Sequence, residues 1–378
     1  MPVPQYTFAA RSSLSAHCLV IDMFYQFLYR SLILLFCLSF TDCSKKGSNG
    51  GNNNGDPEPP VTPPPVVQRK KHFYVEGNRL LDSTGQEFLM RGNNFPVFWF
   101  PNNYKPALQA AASLGCNAAR LVWQTRVDTY TPTLAVLEEA IGICIANKMV
   151  PIVELHDYTG GNDAGDIVAA VNFYSRPDVK TMLQKYSAFL ILNIANEWGG
   201  NNTTALHWRN TYLTAVLNLR REGYEVPIMI DAPGWGGDER AIVEFGKNLL
   251  DSDPAKNLIF SVHAYSNWNN AATYSGRIDQ LLTKNICFVF GEFGWNVPDD
   301  QQPTDFNCKV DAPLLMQQCQ TKKIGYLGWS WTGNNEANAC FDMSNSWSDT
   351  SQLTVWGRQW AYDVNGVKNT GKRAAAFR

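Results

Sequence analysis

Between Phe88 and Trp331 short apolar runs recur, separated by segments whose apolar residues fall three and four apart. The runs read FLMRGNNF (from Phe88), NAARLVW (from Asn117), MVPIVELHD (from Met149) and FLILNIANE (from Phe189). They continue with VPIMIDA (from Val226), LIFSVHAY (from Leu258), ICFVFGEFG (from Ile286) and IGYLGWSW (from Ile324). Between them lie KPALQAAASLG, TLAVLEEAIGICIANK and WRNTYLTAVLNLRREG, which carry helical spacing. Near-continuous apolar strands alternating with helices predict a parallel sheet buried on both faces. Eight such units over roughly 250 residues predict an α/β fold of the (β/α)8 TIM-barrel type. An open doubly wound sheet is the alternative, but no glycine-rich phosphate loop follows the first run. Ahead of the barrel, turn signals at Gly77-Asn78 and Ser83-Thr84-Gly85 predict an N-terminal hairpin.

The chain before residue 73 has a different character. From Met23, a natural alternative start, the sequence reads MFYQFLYRSLILLFCLSFTDCSKK. A single Arg30 precedes the apolar run Ser31 to Phe40, which is short for a bilayer span and ends near a cysteine. This resembles a bacterial lipoprotein signal with Cys43 as the lipidated residue, although Asp42 stands where a small residue is usual. A cleaved signal or a short membrane anchor is the alternative. The following stretch, rich in Gly and Asn and then Pro, has nothing to bury and reads as a tether. The expected organisation is a leader over 1–43, a linker over 44–72 and one catalytic domain over 73–378. The expected location is outside the cytoplasm, either membrane-tethered as a lipoprotein of the outer membrane or cell surface, or secreted.

Charge narrows the partners. The formal net charge of −2, with no basic block, argues against nucleic acid. Aromatic residues make up 12% of the chain, a surplus that suits stacking on sugar rings but equally suits a core. Export permits disulfides. Cys116, Cys144 and Cys287 sit in apolar contexts and read as buried thiols, whereas one bridge is expected among Cys308, Cys319 and Cys340. No CxxC or histidine cluster suggests structural zinc, and no cofactor is implied.

In a (β/α)8 barrel the chemistry gathers at the C-terminal ends of the strands. Those ends carry Arg120, then Glu154, His156 and Asp157, then Asn196 and Glu197. The later strands end on Asp231, on His263 and Tyr265, on Glu292, and on Trp329 and Trp331. Each has a bland reading taken singly: Asp231 could cap the loop APGWGG, and a tryptophan on a strand is usually packing. Together they converge on one mouth. The stretch SAFLILNIANEWGG runs an apolar strand straight into Asn196 and Glu197, although a carboxylate is unwelcome in an apolar interior. Glu197 and Glu292 end the fourth and seventh strands, and a carboxylate pair across a cleft with aromatic platforms suits cleavage of a glycosidic bond. One carboxyl must keep its proton while the other stays ionised, so their surroundings must separate the two. Arg120 and Tyr265 are candidates to hold one of them ionised, and Asn196 to meet a sugar hydroxyl.

These motifs resemble glycoside hydrolase family 5. VELHDYTGG, LNIANEWGG, PIMIDAPGWGG, IFSVHAY, GEFGWN and LGWSWTGNN look like those of its bacterial endo-β-1,4-mannanases. The similarity runs from about Val75 to Trp356 and leaves out the leader and tether. The resemblance implies Glu197 as general acid/base and Glu292 as nucleophile, with Arg120, Tyr265 and His263 in support. It implies sugar contacts for His156, Asn196 and the Trp329 platform. Trp198, Trp235, Trp268 and Trp295 fall in mouth loops where they could line outer subsites; Trp331 could as easily be core. The implied substrate is a β-1,4-linked polysaccharide of the mannan type, cleaved internally with retention. A tethered barrel of this kind needs no partner to complete its site, so a monomer is expected. Three alternatives stand beside it. One is a β-1,4-glucanase with the same chemistry; another is a tethered glycan-binding protein with a dead site. The third is a metal-dependent hydrolase using His156, Asp157 and His263.

Overall fold

The computed structural model of the chain describes residues 70–125 and 131–377. The chain divides into two units, residues 1–65 and 66–378, and the described residues all belong to the second. The leader, Cys43 and the linker through residue 69 lie outside the described residues.

A hairpin of β1 (Tyr74–Glu76) and β2 (Arg79–Leu81) opens the domain, turning at Gly77, whose φ of +62° suits glycine. Eight parallel strands then close a barrel: β3 (Arg91–Phe95), β4 (Ala118–Trp123), β5 (Val150–Leu155), β6 (Ile191–Asn193), β7 (Ile228–Asp231), β8 (Leu258–Ala264), β9 (Cys287–Phe293) and β10 (Gly325–Gly328). Strand β10 pairs with β3 to complete the ring. All eight predicted runs are therefore strands. The outer layer holds α1 (Tyr104–Ser113), α2 (Leu134–Ala146), α3 (Ala164–Ser175), α4 (Pro177–Gln184), α5 (Ala205–Arg221), α6 (Glu239–Ser252), α7 (Tyr274–Leu282), α8 (Ala312–Thr321), α9 (Val355–Tyr362) and α10 (Val367–Thr370). Helix α5 begins three residues before its apolar pattern because the Thr204 hydroxyl accepts the His207 amide and caps it.

Alternation along the strands sorts the side chains. Ala119, Leu121, Val153, Ile230, Phe260, Val262, Phe288 and Phe290 face the helices and join the large outer core. Ala118, Val150, Ile152, Ile191, Met229, Ile259, Cys287, Val289 and Leu327 fill the barrel, joined by Phe73, Leu80 and Phe88 beneath the hairpin. One step further along, the inward positions turn polar on strand after strand: Arg120, Glu154, Asn193, Asp231 and Ser261, all fully buried. An apolar plug thus closes one end of the barrel and a polar layer lies over it.

Glu292 breaks this alternation. It shares its parity with the outward-facing Phe288 and Phe290. Between β8 and β9 the register shifts, with Val262 opposite Phe290 but His263 opposite Glu292. Gly291 is the extra residue of a β-bulge, and the reversed phase turns Glu292 into the barrel. Only glycine fits: a Cβ there would lie 2.1 Å from Ser261 Oγ.

Among the described residues all six cysteines are free, so the expected bridge does not form. The Cys308 thiol instead donates to the Trp295 carbonyl at 3.3 Å, and Cys319 lies on the buried face of α8. Burial pushes the Cys308 and Cys319 thiols up to about 12.

Gly291→Ala should destabilise the fold by about 1–3 kcal/mol through overpacking against Ser261. It should also depress turnover more than a surface Gly→Ala change such as Gly276→Ala, where a Cβ meets nothing. Thermal melting and specific activity, measured side by side, check this.

Candidate active site

The polar layer is organised around Arg120, whose guanidinium is fully buried. Its Nε donates to Asn193 Oδ1 at 2.8 Å, and Nη1 donates to Asn94 Oδ1 at 3.0 Å and to Glu292 Oε1 at 2.8 Å. Nη2 donates to Asn196 Oδ1 at 2.8 Å and Asp231 Oδ2 at 3.3 Å, and lies 3.8 Å from Glu154 Oε2. Burial would strip this group of its proton, but Glu154, Asp231, Glu292 and Glu197 outweigh that and hold it charged.

Glu292 receives a second hydrogen bond from the Tyr265 hydroxyl, at 2.8 Å on Oε2. Burial raises its carboxyl above the ordinary value, an effect that His263 and Arg120 oppose but do not cancel. Opposite it, Glu197 follows β6 in a left-handed backbone conformation, φ +47°, which is uncommon for a residue with a side chain. Two bonds hold that turn: the Glu197 amide donates to Asp231 Oδ2 at 3.1 Å, and its carbonyl accepts from Gly160 N at 3.0 Å. The turn directs the carboxylate into the cleft, where its side chain is 13% exposed.

His263 lies between the two glutamates. Its Nδ1 is 2.7 Å from Glu197 Oε1 and 3.6 Å from Glu292 Oε2, and its Nε2 faces Asp231 Oδ2 at 3.4 Å. Burial alone would lower its pKa, but the surrounding Glu292, Asp231 and Glu197 raise it to about 9. An oxygen of Glu197 and an oxygen of Glu292 lie within 4.8 Å of one another. That is close to the separation of about 5–5.5 Å expected of a carboxylate that attacks directly, and short of the roughly 6.5–9.5 Å that leaves room for a water.

The cleft above these groups has a volume of about 840 Å³. His156, its Nδ1 2.9 Å from Glu154 Oε1, stacks on Trp329 with ring centres 5.7 Å apart and meets the edge of Trp99. Burial would lower the His156 pKa; Glu154 outweighs it and raises it. Trp329 donates its indole N–H to Asn334 Oδ1 at 3.0 Å, and Asn334 in turn donates to Asp342 Oδ1 at 2.7 Å. The peptide bond between Trp329 and Ser330 is cis. Trp235, 48% exposed, lies across Gly160, where a Cβ would come within 2.3 Å of its ring.

Arg120, His156, Asn196, Glu197, Tyr265, Glu292 and Trp329 therefore meet in one site, with His263 beneath and Trp235 at the rim. Three expected subsite residues, Trp198, Trp268 and Trp295, do not join them. Trp198 is fully buried, its indole N–H on the Asp163 carbonyl and its ring against Tyr212 of α5. The left-handed turn at Glu197 sends this next side chain into the helical layer. Trp295 is buried as well, donating to the Cys340 carbonyl and stacked parallel to Trp356. Trp268 lies buried under the Arg277 guanidinium, and Trp331 is core.

Several cleft residues carry no motif of their own: Trp99 after β3, Phe306 after β9, and Asn338 and Phe341 after β10. The aromatic cluster FPVFWF behind the first strand was the available signal for Trp99. The set His156, Asp157 and His263 does not form a metal site, because the Asp157 carboxylate turns to the Thr125 amide and hydroxyl. Glu197, His263 and Glu292 are close enough to hold an ion. A cation there would share Glu292 with the buried Arg120 charge that already bonds it.

A family model described as cellulase, glycosyl hydrolase family 5, matches residues 81–335. The chain belongs to glycosyl hydrolase family 5. Among its family 5 relatives, a mannan endo-1,4-beta-mannosidase of Salipaludibacillus agaradhaerens is 32% identical over 81% of this chain and 96% of its own length. A mannan endo-1,4-beta-mannosidase of Cellvibrio japonicus is 33% identical over 81% of this chain and 69% of its own. The structure of a mannotriose complex of Thermomonospora fusca beta-mannanase aligns with a TM-score of 0.72 at 29% identity, covering 81% of this chain and 99% of that one.

His263 links the site to stability. Its folded pKa of about 9 stands above its ordinary 6.5. The stability it contributes is therefore fully present below 6.5 and lost as pH rises through 9. The urea midpoint should fall across that window, and His263→Gln should flatten the fall.

Proposed function

We propose that the protein is a retaining, endo-acting β-1,4-mannanase that cleaves internal bonds of mannan, glucomannan or galactomannan. The observation that carries the reaction class is the pair Glu197 and Glu292, with oxygens within 4.8 Å and different partners. Relatives named for mannan, each covering about four fifths of the chain, support the substrate.

Glu197 reaches into the cleft from one side and protonates the leaving glycosidic oxygen. Glu292, aligned by Arg120 and Tyr265, attacks the anomeric carbon as the bond to the leaving oxygen breaks. A covalent glycosyl-enzyme results, and the shortened chain departs. Glu197, now ionised, takes a proton from water as that water attacks the same carbon, releasing Glu292 and restoring the starting proton. Two inversions give net retention. Trp329 would lie under the sugar next to the cleaved bond, with His156 and Asn196 contacting its hydroxyls. Trp235 extends the platform at the rim.

The tether gives the reaction its setting. Lipidation at Cys43 and the Gly/Asn/Pro-rich linker suit a catalytic domain, complete as a monomer, held just outside a membrane. Cys43→Ala should move the protein from the membrane fraction to the soluble fraction.

Product analysis on a panel of mannan, glucomannan, galactomannan and carboxymethyl cellulose tests the substrate. Mixed-length manno-oligosaccharides from the first three are expected. Release from carboxymethyl cellulose alone would favour a glucanase, and binding without any release would favour a glycan-binding protein. Glu197→Ala should lose activity on polysaccharide by about 10²–10⁴-fold. On an aryl glycoside whose leaving group needs no acid, the same variant should respond to azide by forming the β-azide. Glu292→Ala should recover no retaining turnover under the same conditions. Activity should persist in a chelator, since no step of the proposed reaction uses a metal ion.

A further inference from the structure

Beneath the two glutamates lies a third carboxylate that the reaction as described does not use. Asp231 ends β7 and is fully buried. Its sequence setting suggested a cap for the loop that follows, but its oxygens turn elsewhere. Oδ1 accepts from Asn193 Nδ2 at 3.1 Å. Oδ2 accepts from the Glu197 amide at 3.1 Å and from Arg120 Nη2 at 3.3 Å, and faces His263 Nε2 at 3.4 Å. One oxygen thus touches the backbone of one glutamate, the cation that binds the other, and the imidazole between them. Its backbone carbonyl is fixed from outside by the Trp208 indole on α5.

We propose that Asp231 is a positioning residue of the glycosidase reaction, holding the strained turn at Glu197 and setting the charge that both glutamates feel. The inference rests on the mannanase reading for its substrate and deepens it. Left-handed backbone at a glutamate costs free energy, and a charged acceptor on its amide offsets that cost. The same carboxylate faces His263 from the side opposite Glu197, so the ring lies between two anions. Asp231 makes no contact with the cleft, which separates its role from that of a residue touching sugar.

The charged and titratable groups facing Asp231 are Arg120 on β4, Glu197 after β6 and His263 on β8, with Glu292 beyond His263. Tyr212 of α5 feels its charge from the outer layer. Removing this negative charge lets the neighbouring carboxyls and His263 lose their protons at lower pH. Both limbs of the activity profile should then move the same way, toward acid.

The test compares Asp231→Asn, which keeps the shape and removes the charge, with Asp231→Glu, which keeps the charge and shifts it. The pH dependence of kcat and KM is measured on mannan and on an activated aryl β-mannobioside. Asp231→Asn should lower kcat roughly 100-fold, with both pH limbs displaced toward acid by about one unit. KM should change by less than about twofold, because no sugar contact is lost. Asp231→Glu should lower kcat while leaving the limbs in place. If Asp231→Asn fails to fold, Asp231→Ser carries the same expectation of displaced limbs. Limbs that stay put in a folded, charge-free variant overturn the assignment while the parent's activity leaves the mannanase reading intact. A parent inactive on both substrates overturns the glycosidase reading itself and the assignment with it.

Discussion

The buried guanidinium of Arg120 is the constraint around which the rest of the site is arranged. A fully desolvated cation is tolerable only when every donor is satisfied and its charge is balanced. Arg120 meets that demand by bonding to Asn94 on β3, Asn193 on β6, Asp231 on β7 and Glu292 on β9, with Asn196 just beyond β6. Those partners come from around the whole ring, so the cation is fully paired only when the barrel has closed. The requirement that stabilises the closed barrel also gathers the reacting groups.

Charge counting extends the point. Arg120, His156 and His263 face Glu154, Asp231, Glu197 and Glu292 in a volume largely shielded from water. With both imidazoles protonated, three cations meet four carboxylates. The cluster is then neutral when it holds one more proton. That inventory suits an acid waiting beside an ionised nucleophile. In the proposed reaction the proton passes from the cluster to the leaving oxygen and returns from water, so the net charge of the buried layer changes only transiently.

Much of this was legible in the sequence because barrel strands announce themselves as apolar runs and their polar ends stand out. Arg120, Glu197 and Glu292 could be picked as a set once the eight runs were aligned. The tryptophans were harder, since a ring in a mouth loop has the same composition whether it faces sugar or helix. Trp235 faces the cleft because Gly160 leaves room beneath it, whereas Trp198 is turned away by the backbone of the residue before it. The first cause lies far from Trp235 in the sequence, and the second is a backbone conformation that the residue type at Glu197 does not announce. Asp231 looked like a loop cap because its three-way contact joins residues 34 and 111 positions away in the chain, besides His263. The bridge expected among the late cysteines failed for a similar reason: loop-like context does not report which thiol is enclosed.

The bulge at Gly291 has an implication for how such a barrel can vary. In a strand of unbroken alternation, the facing of the last residue is fixed by the parity of the first. The extra residue in β9 cuts that dependence, so Cys287 and Val289 obey the plug below while Glu292 obeys the site above. Plug and site become separately adjustable parts of one strand. The floor of the barrel can be repacked through many substitutions while the phase of its nucleophile candidate is kept by a single glycine.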